Sequence, residues 1–224
     1  SDAVLPERWH ALTGLHVAQR WKGQVEESLD PLEEASAVAK SLADDEADQF
    51  IENARGQLCM ARGRQEEAEE HFRLALQAST GARASVTIRL NLAESLFAVG
   101  RRTEAAEAVR LAERESIRAG LCQKLPEAYR LLGRLAAAEG NPEAFVFFEH
   151  ALEVIRSRGL PELESAITLQ AYAEVETKVG EDEAAQELFS RADQLYRKLG
   201  IHRRRSEWAD RLEAPADPSD ETTE

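Results

Sequence analysis

Five glycines recur along the sequence at an almost constant spacing. Gly23, Gly63, Gly100, Gly140 and Gly180 stand 40, 37, 40 and 40 residues apart. Recurrence at this length is typical of repeat proteins, in which each unit is one supersecondary element that cannot bury its own apolar face and therefore stacks on its neighbours. We expect the chain to be an array of one repeated unit, with residues 1–213 forming a single elongated domain.

The same apolar pattern follows each glycine. A small residue is followed by a bulky apolar residue and then by an alanine, at the spacing i, i+4, i+7, which places all three on one face of a helix. In the fourth unit the loop is one residue shorter. The small residues are Ser28, Ala68, Ala105, Phe145 with Ala144 beside it, and Ala185; the bulky residues are Leu32, Phe72, Val109, Phe148 and Phe189; the alanines are Ala35, Ala75, Ala112, Ala151 and Ala192.

Another apolar helical face precedes each glycine, so each unit is predicted to be a helix, a glycine turn and a second helix. A second series of glycines, Gly81, Gly120, Gly159 and Gly200, is expected to end the second helices. Apolar residues follow three of them directly, a pattern typical of left-handed C-caps. The predicted helices are 6–21 and 24–42, 45–62 and 65–79, 82–99 and 102–119, 123–139 and 142–158, and 161–179 and 182–199.

The C-terminal residues are expected to behave differently from the repeats. Residues 201–213 are predicted to form an eleventh helix, in which Ile201, Trp208 and Leu212 cover the last repeat, because the end of a repeat array needs a polar outer face. Residues 214–224 are acidic and lack the apolar content to fold, so they are predicted to be a disordered tail.

Composition excludes several classes of function. The formal net charge of -14 disfavours direct binding to nucleic acid or to an anionic membrane, because neutralising phosphates requires a basic surface. The run His202-Arg203-Arg204-Arg205 is the local exception, and it is interpreted either as cations that offset nearby acids or as an anion site. No apolar stretch is long enough to cross a bilayer and no signal sequence opens the chain, which predicts a cytoplasmic protein.

No sequence motif for catalysis or cofactor binding is present. Phosphate-binding loops, zinc-ligand spacings and nucleophile elbows are all missing from the sequence. Cys59 and Cys122 lie in different units and are expected to be reduced thiols, with Cys59 in a repeat core. We therefore predict that the chain is not an enzyme and takes no cofactor or metal.

The repeat resembles the tetratricopeptide repeat (TPR) family. The fourth unit matches the family pattern best, with Tyr129-x2-Leu132-Gly133-x2-Ala136 followed by Gly140, Ala144, Phe148 and Ala151. The resemblance covers about 190 residues and implies an all-α solenoid, a right-handed superhelix of five helix pairs plus the capping helix. The units are longer than the family's usual 34 residues and end in glycine rather than proline. In this they are similar to the repeat arms of bacterial signalling ATPases and of maltose-regulator-type transcription activators.

The resemblance also implies where a partner would bind. In a TPR array the first helices of the pairs line a concave groove, so the expected contacts are outward-facing polar residues of those helices. Arg130 and Arg134, one turn apart, are expected to grip a carboxylate or phosphate together. The groove candidates are Thr13, Arg20, Asn53, Gln57, Glu94, Arg130, Arg134, Gln170 and Glu174.

The resulting hypothesis is a non-catalytic scaffold that binds a protein or peptide in its groove. The chain begins with Ser1, so we expect it to be the C-terminal regulatory or sensor arm of a longer signalling protein, with the other domains of that chain among its partners. Two alternatives stay open: a small-molecule inducer sensor of a transcription regulator, and an oligomerisation module using Phe147 as an exposed contact. The sequence does not determine the oligomeric state or the ligand.

Overall fold

A computed structural model describes residues 5–21, 24–42 and 45–201. Within these ranges the secondary structure consists of ten α-helices and one short 3-10 helix, Cys122–Lys124, with no strand, which confirms the all-α helical repeat. The predicted capping helix 201–213 and tail 214–224 lie outside the described residues, apart from Ile201. The α-helices are α1 Leu5–Trp21, α2 Leu29–Leu42, α3 Asp45–Ala61, α4 Gln65–Gln77, α5 Ala82–Ala98, α6 Arg102–Arg118, α7 Leu125–Ala138, α8 Glu143–Arg158, α9 Glu162–Val179 and α10 Asp182–Lys198.

Helix α2 begins five residues later than the sequence predicted. Residues 25–28 form a turn instead, in which the Ser28 hydroxyl donates a hydrogen bond to the Val25 carbonyl at 2.7 Å. The Ser28 carbonyl accepts a hydrogen bond from Nδ1 of His16 on α1 at 2.9 Å. Serine favours such local backbone bonds over a helix interior. The prediction was wrong here because apolar periodicity carries no information about these bonds.

Most of the spaced glycines end helices in one shared conformation. Gly63, Gly100, Gly120, Gly140, Gly159, Gly180 and Gly200 all have positive φ between 60° and 87°. At Gly120 the following Leu121 amide donates to the Ser116 carbonyl at 2.8 Å, and the Gly120 amide donates to Ile117 at 3.3 Å, which is a Schellman cap. The within-pair glycines in the described part of the chain make the same bonds, for example from Arg101 to Leu96 at 2.9 Å; they are Gly63, Gly100, Gly140 and Gly180.

Gly81 is the exception among the predicted helix ends. Its φ of -120° is extended, and it precedes α5 as the N-cap, while α4 has already ended at Gln77. A following apolar residue does not decide the difference, because polar residues follow the within-pair glycines that do form left-handed caps. These residues are Arg64, Arg101, Asn141 and Glu181.

The predicted pattern of small, bulky and small residues lies in the core. All five small positions are fully buried, with Ala144 rather than Phe145 in the fourth unit, and so are four of the bulky residues. Phe189 is the half-buried exception, and Leu188 beside it is buried. The five alanines at the third position are also buried, which lets the two helices of a pair approach closely.

The chain divides into two compact units, Ser1–Leu131 and Leu132–Glu224. In the first unit successive helices from α1 to α6 contact each other, and α3 also contacts α5. One core cluster of this unit joins α2 to α3, with Trp9 and Phe50 packed against it. In the second unit α9 and α10 form a cluster that includes Leu169 and Tyr196, and Ile201 packs on its edge. No helix in the described ranges is long and apolar enough to cross a membrane.

Candidate functional site

Two asparagines join neighbouring first helices in the compact unit that residues 1–131 form. Asn53 on α3 and Asn91 on α5 are both half-buried, and Nδ2 of Asn91 donates a hydrogen bond to Oδ1 of Asn53 at 2.8 Å. This bond uses one donor of Asn91 and the acceptor of Asn53. Nδ2 of Asn53 and Oδ1 of Asn91 have no hydrogen-bond partner among the residues that the structure describes. The pair therefore offers one amide donor and one amide acceptor on adjacent helices.

Two further polar side chains extend this surface along the helices. Gln57 is one turn after Asn53 on α3, and Glu94 is one turn after Asn91 on α5. Both are half-buried, and the Gln57 amide makes no hydrogen bond within the described part of the chain. We refer to Asn53, Gln57, Asn91 and Glu94 together as the first-helix face. Its groups are three amides and one carboxylate, which suits recognition by hydrogen bonds.

Charged side chains on both sides of α3 hold this helix in place. Arg55 of α3 donates to Glu52 at 2.8 Å, to Glu33 of α2 at 3.2 Å and to the hydroxyl of Ser36 at 3.1 Å. Burial lowers the pKa of Arg55, but the charges and hydrogen bonds of Glu33 and Glu52 outweigh it and raise that pKa above its usual value. Arg55 thus stays protonated and ties α3 to α2.

The α4 side of this helix is fastened by a histidine. Nδ1 of His71 on α4 lies 2.7 Å from Oε2 of Glu52. The other carboxylate oxygen of Glu52, Oε1, binds Arg55. Glu52 therefore links side chains of two helices. Such links fix the rotation of α3 about its axis, and so they help to set the direction of Asn53 and Gln57.

Asn91 was missed in the sequence interpretation because it is offset by one residue from the repeat position of the other candidates. Thr13, Asn53, Arg130 and Gln170 each stand ten residues before the spaced glycine of their repeat, whereas Asn91 stands nine residues before Gly100. The equivalent residue of the third repeat is Leu90, which is buried. Glu94, chosen instead, is one turn away on the same helix.

The other candidates on helices α1 to α7 occupy varied environments. Thr13 is 7% exposed, and its hydroxyl donates to the His10 carbonyl at 3.0 Å, so it is buried rather than outward-facing as predicted. The side chain of Arg20 lies outside the described residues. Arg130 and Arg134 lie one turn apart on α7 and are both half-buried. Their joint role as an anion clamp stays a prediction.

In the second unit, internal hydrogen bonds occupy the predicted residues of α9. Gln170 donates to Glu174 at 3.0 Å and accepts a hydrogen bond from the Tyr196 hydroxyl of α10 at 3.0 Å. These contacts turn the Gln170 amide towards its own helix pair. Gln170 and Glu174 are therefore less available for a partner than Asn53 and Asn91.

The aromatic run in α8 packs mainly on the next helix pair. Phe145 and Phe148 stack on Tyr172 of α9, with ring centroids 6.0 and 5.0 Å apart. Phe147 is half-buried, and the most exposed apolar residue in the run is Val146, at 50%. A partner or oligomer contact through Phe147 remains a prediction.

One acidic group is buried away from these surfaces. Glu176 on α9 is 8% exposed; burial raises the pKa of its carboxyl, and the nearby charge of Glu181 raises it further. Its neighbour Tyr172 also has a raised pKa, chiefly through burial. Across the described ranges, no group of three or more His, Cys, Asp or Glu side chains is placed to hold a metal ion.

Paired helices, glycine caps and small-large-small packing together define an all-α helical repeat fold. Solved structures share this fold. A Podospora anserina protein described as a kinesin light chain with nearly identical TPR-like repeats has a TM-score of 0.60 and 19% identity over 87% of this chain and 97% of its own. BtubC (BKLC) from P. vanneervenii gives 0.64 and 22%, over 87% and 83% of the two chains. PilF of Pseudomonas aeruginosa gives 0.60 and 19%, over 85% and 77%.

Sequence comparison adds no closer relation. No protein-family model matches the sequence. No curated protein matches it. The solved structures are all below 25% identity and therefore show the fold alone. The similarity of the long units to the arms of signalling ATPases and maltose-regulator-type activators stays a prediction.

Proposed function

We propose that this protein is a non-catalytic interaction scaffold that binds an extended peptide segment of a partner along the first-helix face. The observation that carries the proposal is the Asn53–Asn91 pair, which holds one unused amide donor and one unused amide acceptor on adjacent helices. A peptide backbone presents alternating N–H and C=O groups, and an amide side chain pair is able to bind both. Recognition of this kind reads the backbone and leaves specificity to the flanking residues.

The charged candidates extend the proposed binding surface. Arg130, which like Asn53 stands ten residues before the spaced glycine of its repeat, would meet an acidic group next along the peptide. The joint grip of Arg130 and Arg134 on an anion stays a separate prediction from the sequence. Thr13, being buried, and Gln170 and Glu174, being bonded internally, contribute less in this arrangement. Arg20 is kept as a candidate from its sequence position.

A scaffold also fits the chemistry of the described residues. General acid-base or nucleophilic catalysis needs a nucleophile, a base and a group that orients the base within hydrogen-bond reach. The pKa of Glu176 is raised by burial and by the nearby carboxylate of Glu181. Neither cause supplies a nucleophile. We further propose that the scaffold is a regulatory arm, which reports the bound partner to other parts of a longer signalling protein.

The test is a peptide selected by the full chain from a displayed random library. Its affinity is then measured by fluorescence anisotropy for Asn91→Ala, Asn53→Ala and the unaltered chain. Loss of one buried hydrogen bond costs about 1 kcal/mol, so each variant should bind about 5- to 10-fold more weakly. Gln77→Ala, an exposed amide on the second helix α4, is the matched control and should bind normally. Equal affinity for all four proteins would reject the first-helix face.

A further inference from the structure

A recess lies between α8, α9 and α10, in the compact unit that begins at Leu132. Its volume is about 630 Å³, and its apolar surface comes from Ile155 of α8, Leu160 of the following loop, Leu169 of α9 and Leu195 of α10. Two of the three helices, α8 and α10, are second helices of their pairs. The recess includes no residue of the first-helix face, so the function proposed above does not account for it.

The charged residues that line this pocket are all cationic. Arg156 of α8 and Arg191 and Lys198 of α10 line it, and no carboxylate is among its lining residues. This is unusual in a chain with a formal net charge of -14. A cluster of one sign beside an apolar surface favours a ligand of opposite charge that also carries an apolar group.

The three cations differ in how they are engaged. Arg191 has no hydrogen-bond or ion-pair partner among the described residues. Arg156 pairs with Glu153 at 2.9 Å and Lys198 with Glu162 at 2.6 Å, and all four side chains are largely exposed. Exposed ion pairs contribute only about 0–1 kcal/mol each, so an incoming carboxylate displaces them at little cost.

We propose that this pocket binds an acidic peptide segment of a partner protein, which inserts one apolar side chain between α8 and α10. Arg191 and Lys198 are seven residues apart on α10, and at about 1.5 Å per residue their backbones are about 10 Å apart. An extended peptide rises about 3.3 Å per residue and turns successive side chains to opposite faces, so carboxylates four positions apart lie on one face about 13 Å apart, within reach of both long cationic side chains. The expected motif is an apolar residue midway between two acids at that spacing.

Charge argues for a partner rather than the segment that follows α10 in this chain. The sequence continues after Ile201 with His202, Arg203, Arg204 and Arg205, which lie outside the described residues. A basic run is a poor match for a cationic rim. A neutral apolar molecule would leave Arg156, Arg191 and Lys198 without a role.

The probe is a synthetic peptide with the core Asp-Gly-Leu-Gly-Asp, titrated into the full isotope-labelled chain and followed by amide chemical shifts. We expect shifts confined to the ends of α8, α9 and α10 that line the pocket, and an affinity that falls as salt is raised. Arg191→Glu should weaken binding at least about tenfold, because it replaces attraction by repulsion. Arg110→Glu, at an exposed site on α6, changes the net charge equally and should have no effect.

Several results would overturn the proposal. These are equal binding of a peptide with Asn in place of both Asp residues, equal losses in the Arg191→Glu and Arg110→Glu chains, or shifts outside the pocket. Binding that appears only after Trp208→Ala would show that the chain's own C-terminal segment occupies the pocket. The outcome is separable from the first-helix face, because Asn91→Ala should leave this peptide's affinity unchanged and Arg191→Glu should leave the library peptide's affinity unchanged.

Discussion

At the scale of single residues, facing side chains within a helix pair are matched in size. In the second and fourth repeats, the residue seven positions before the spaced glycine faces the bulky residue of the second helix. At Gly56 and Gly133 an added Cβ would lie 2.5 Å from a ring carbon of Phe72 and 2.7 Å from one of Phe148. The third unit has Ala93 at this position, and its bulky residue is the smaller Val109. Glycine is thus required where a fully buried phenylalanine fills the pair, whereas in the fifth repeat, which has Ala173 at this position, Phe189 is only half-buried.

We predict that Gly133→Ala and Gly56→Ala each lower the free energy of unfolding by about 1–3 kcal/mol, because the added methyl overpacks a buried ring. Gly14→Ala is the control, since nothing lies within 4 Å of its Cβ position. In an exposed helix that change should instead stabilise the protein by about 0.5–1 kcal/mol. Urea unfolding measures all three, and stabilisation by Gly56→Ala would contradict the size match.

The match also predicts coupling between the two positions of a pair. The double variant Gly56→Ala with Phe72→Val reproduces the combination that the third unit uses, Ala93 with Val109. Its destabilisation should be smaller than the sum of the two single changes by about 1–2 kcal/mol, because the smaller side chain leaves room for the new methyl. Strict additivity in a double-mutant cycle would show that the two residues do not share this space.

At the scale of helices, sequence spacing predicted the elements well where local rules decide them. Apolar periodicity and the glycines located the helices to within a few residues, because each helix buries one stripe and ends in a local cap. The start of α2 and the conformation of Gly81 were wrong for the opposite reason. The first depends on a bond from His16 to Ser28, twelve residues away, and the second on α4 ending at Gln77, before the glycine is reached.

Helix ends therefore provide a test in which two glycines of one predicted series behave differently. Gly120 has a φ of 68°, whereas Gly81 has a φ of -120° and precedes α5 as its N-cap. We expect Gly120→Ser to cost about 1 kcal/mol, because side chains disfavour the left-handed region. Gly81→Ser should be neutral or should stabilise the protein by a few tenths of a kcal/mol, since serine is a good N-cap. Denaturation midpoints that fall equally in both variants would refute this distinction.

At the scale of the whole molecule, the fold was far more predictable from sequence than the binding surface. Repetition identifies the core because every unit repeats the same packing, as Ala75, Ala112 and Ala151 show. A binding surface is not repeated. The Asn53–Asn91 bond and the internal bonds of Gln170 depend on which side chains meet across helices, and the sequence pattern does not determine this.

Net charge is a whole-molecule property, and it predicts what this protein does not bind. Nucleic-acid affinity arises mainly from counterions released when cations neutralise phosphates, and a chain at -14 repels phosphates at long range. Three cations line the pocket between α8, α9 and α10, namely Arg156, Arg191 and Lys198, and two of them already pair with acids. We therefore expect no binding of labelled single- or double-stranded DNA or RNA by fluorescence anisotropy at physiological salt. Any binding seen at lower salt should vanish steeply as salt is raised and should be lost in Arg191→Glu. Affinity that persists at physiological salt would mean that the sequence run Arg203 to Arg205 forms a true anion site, the alternative that charge balance alone leaves open.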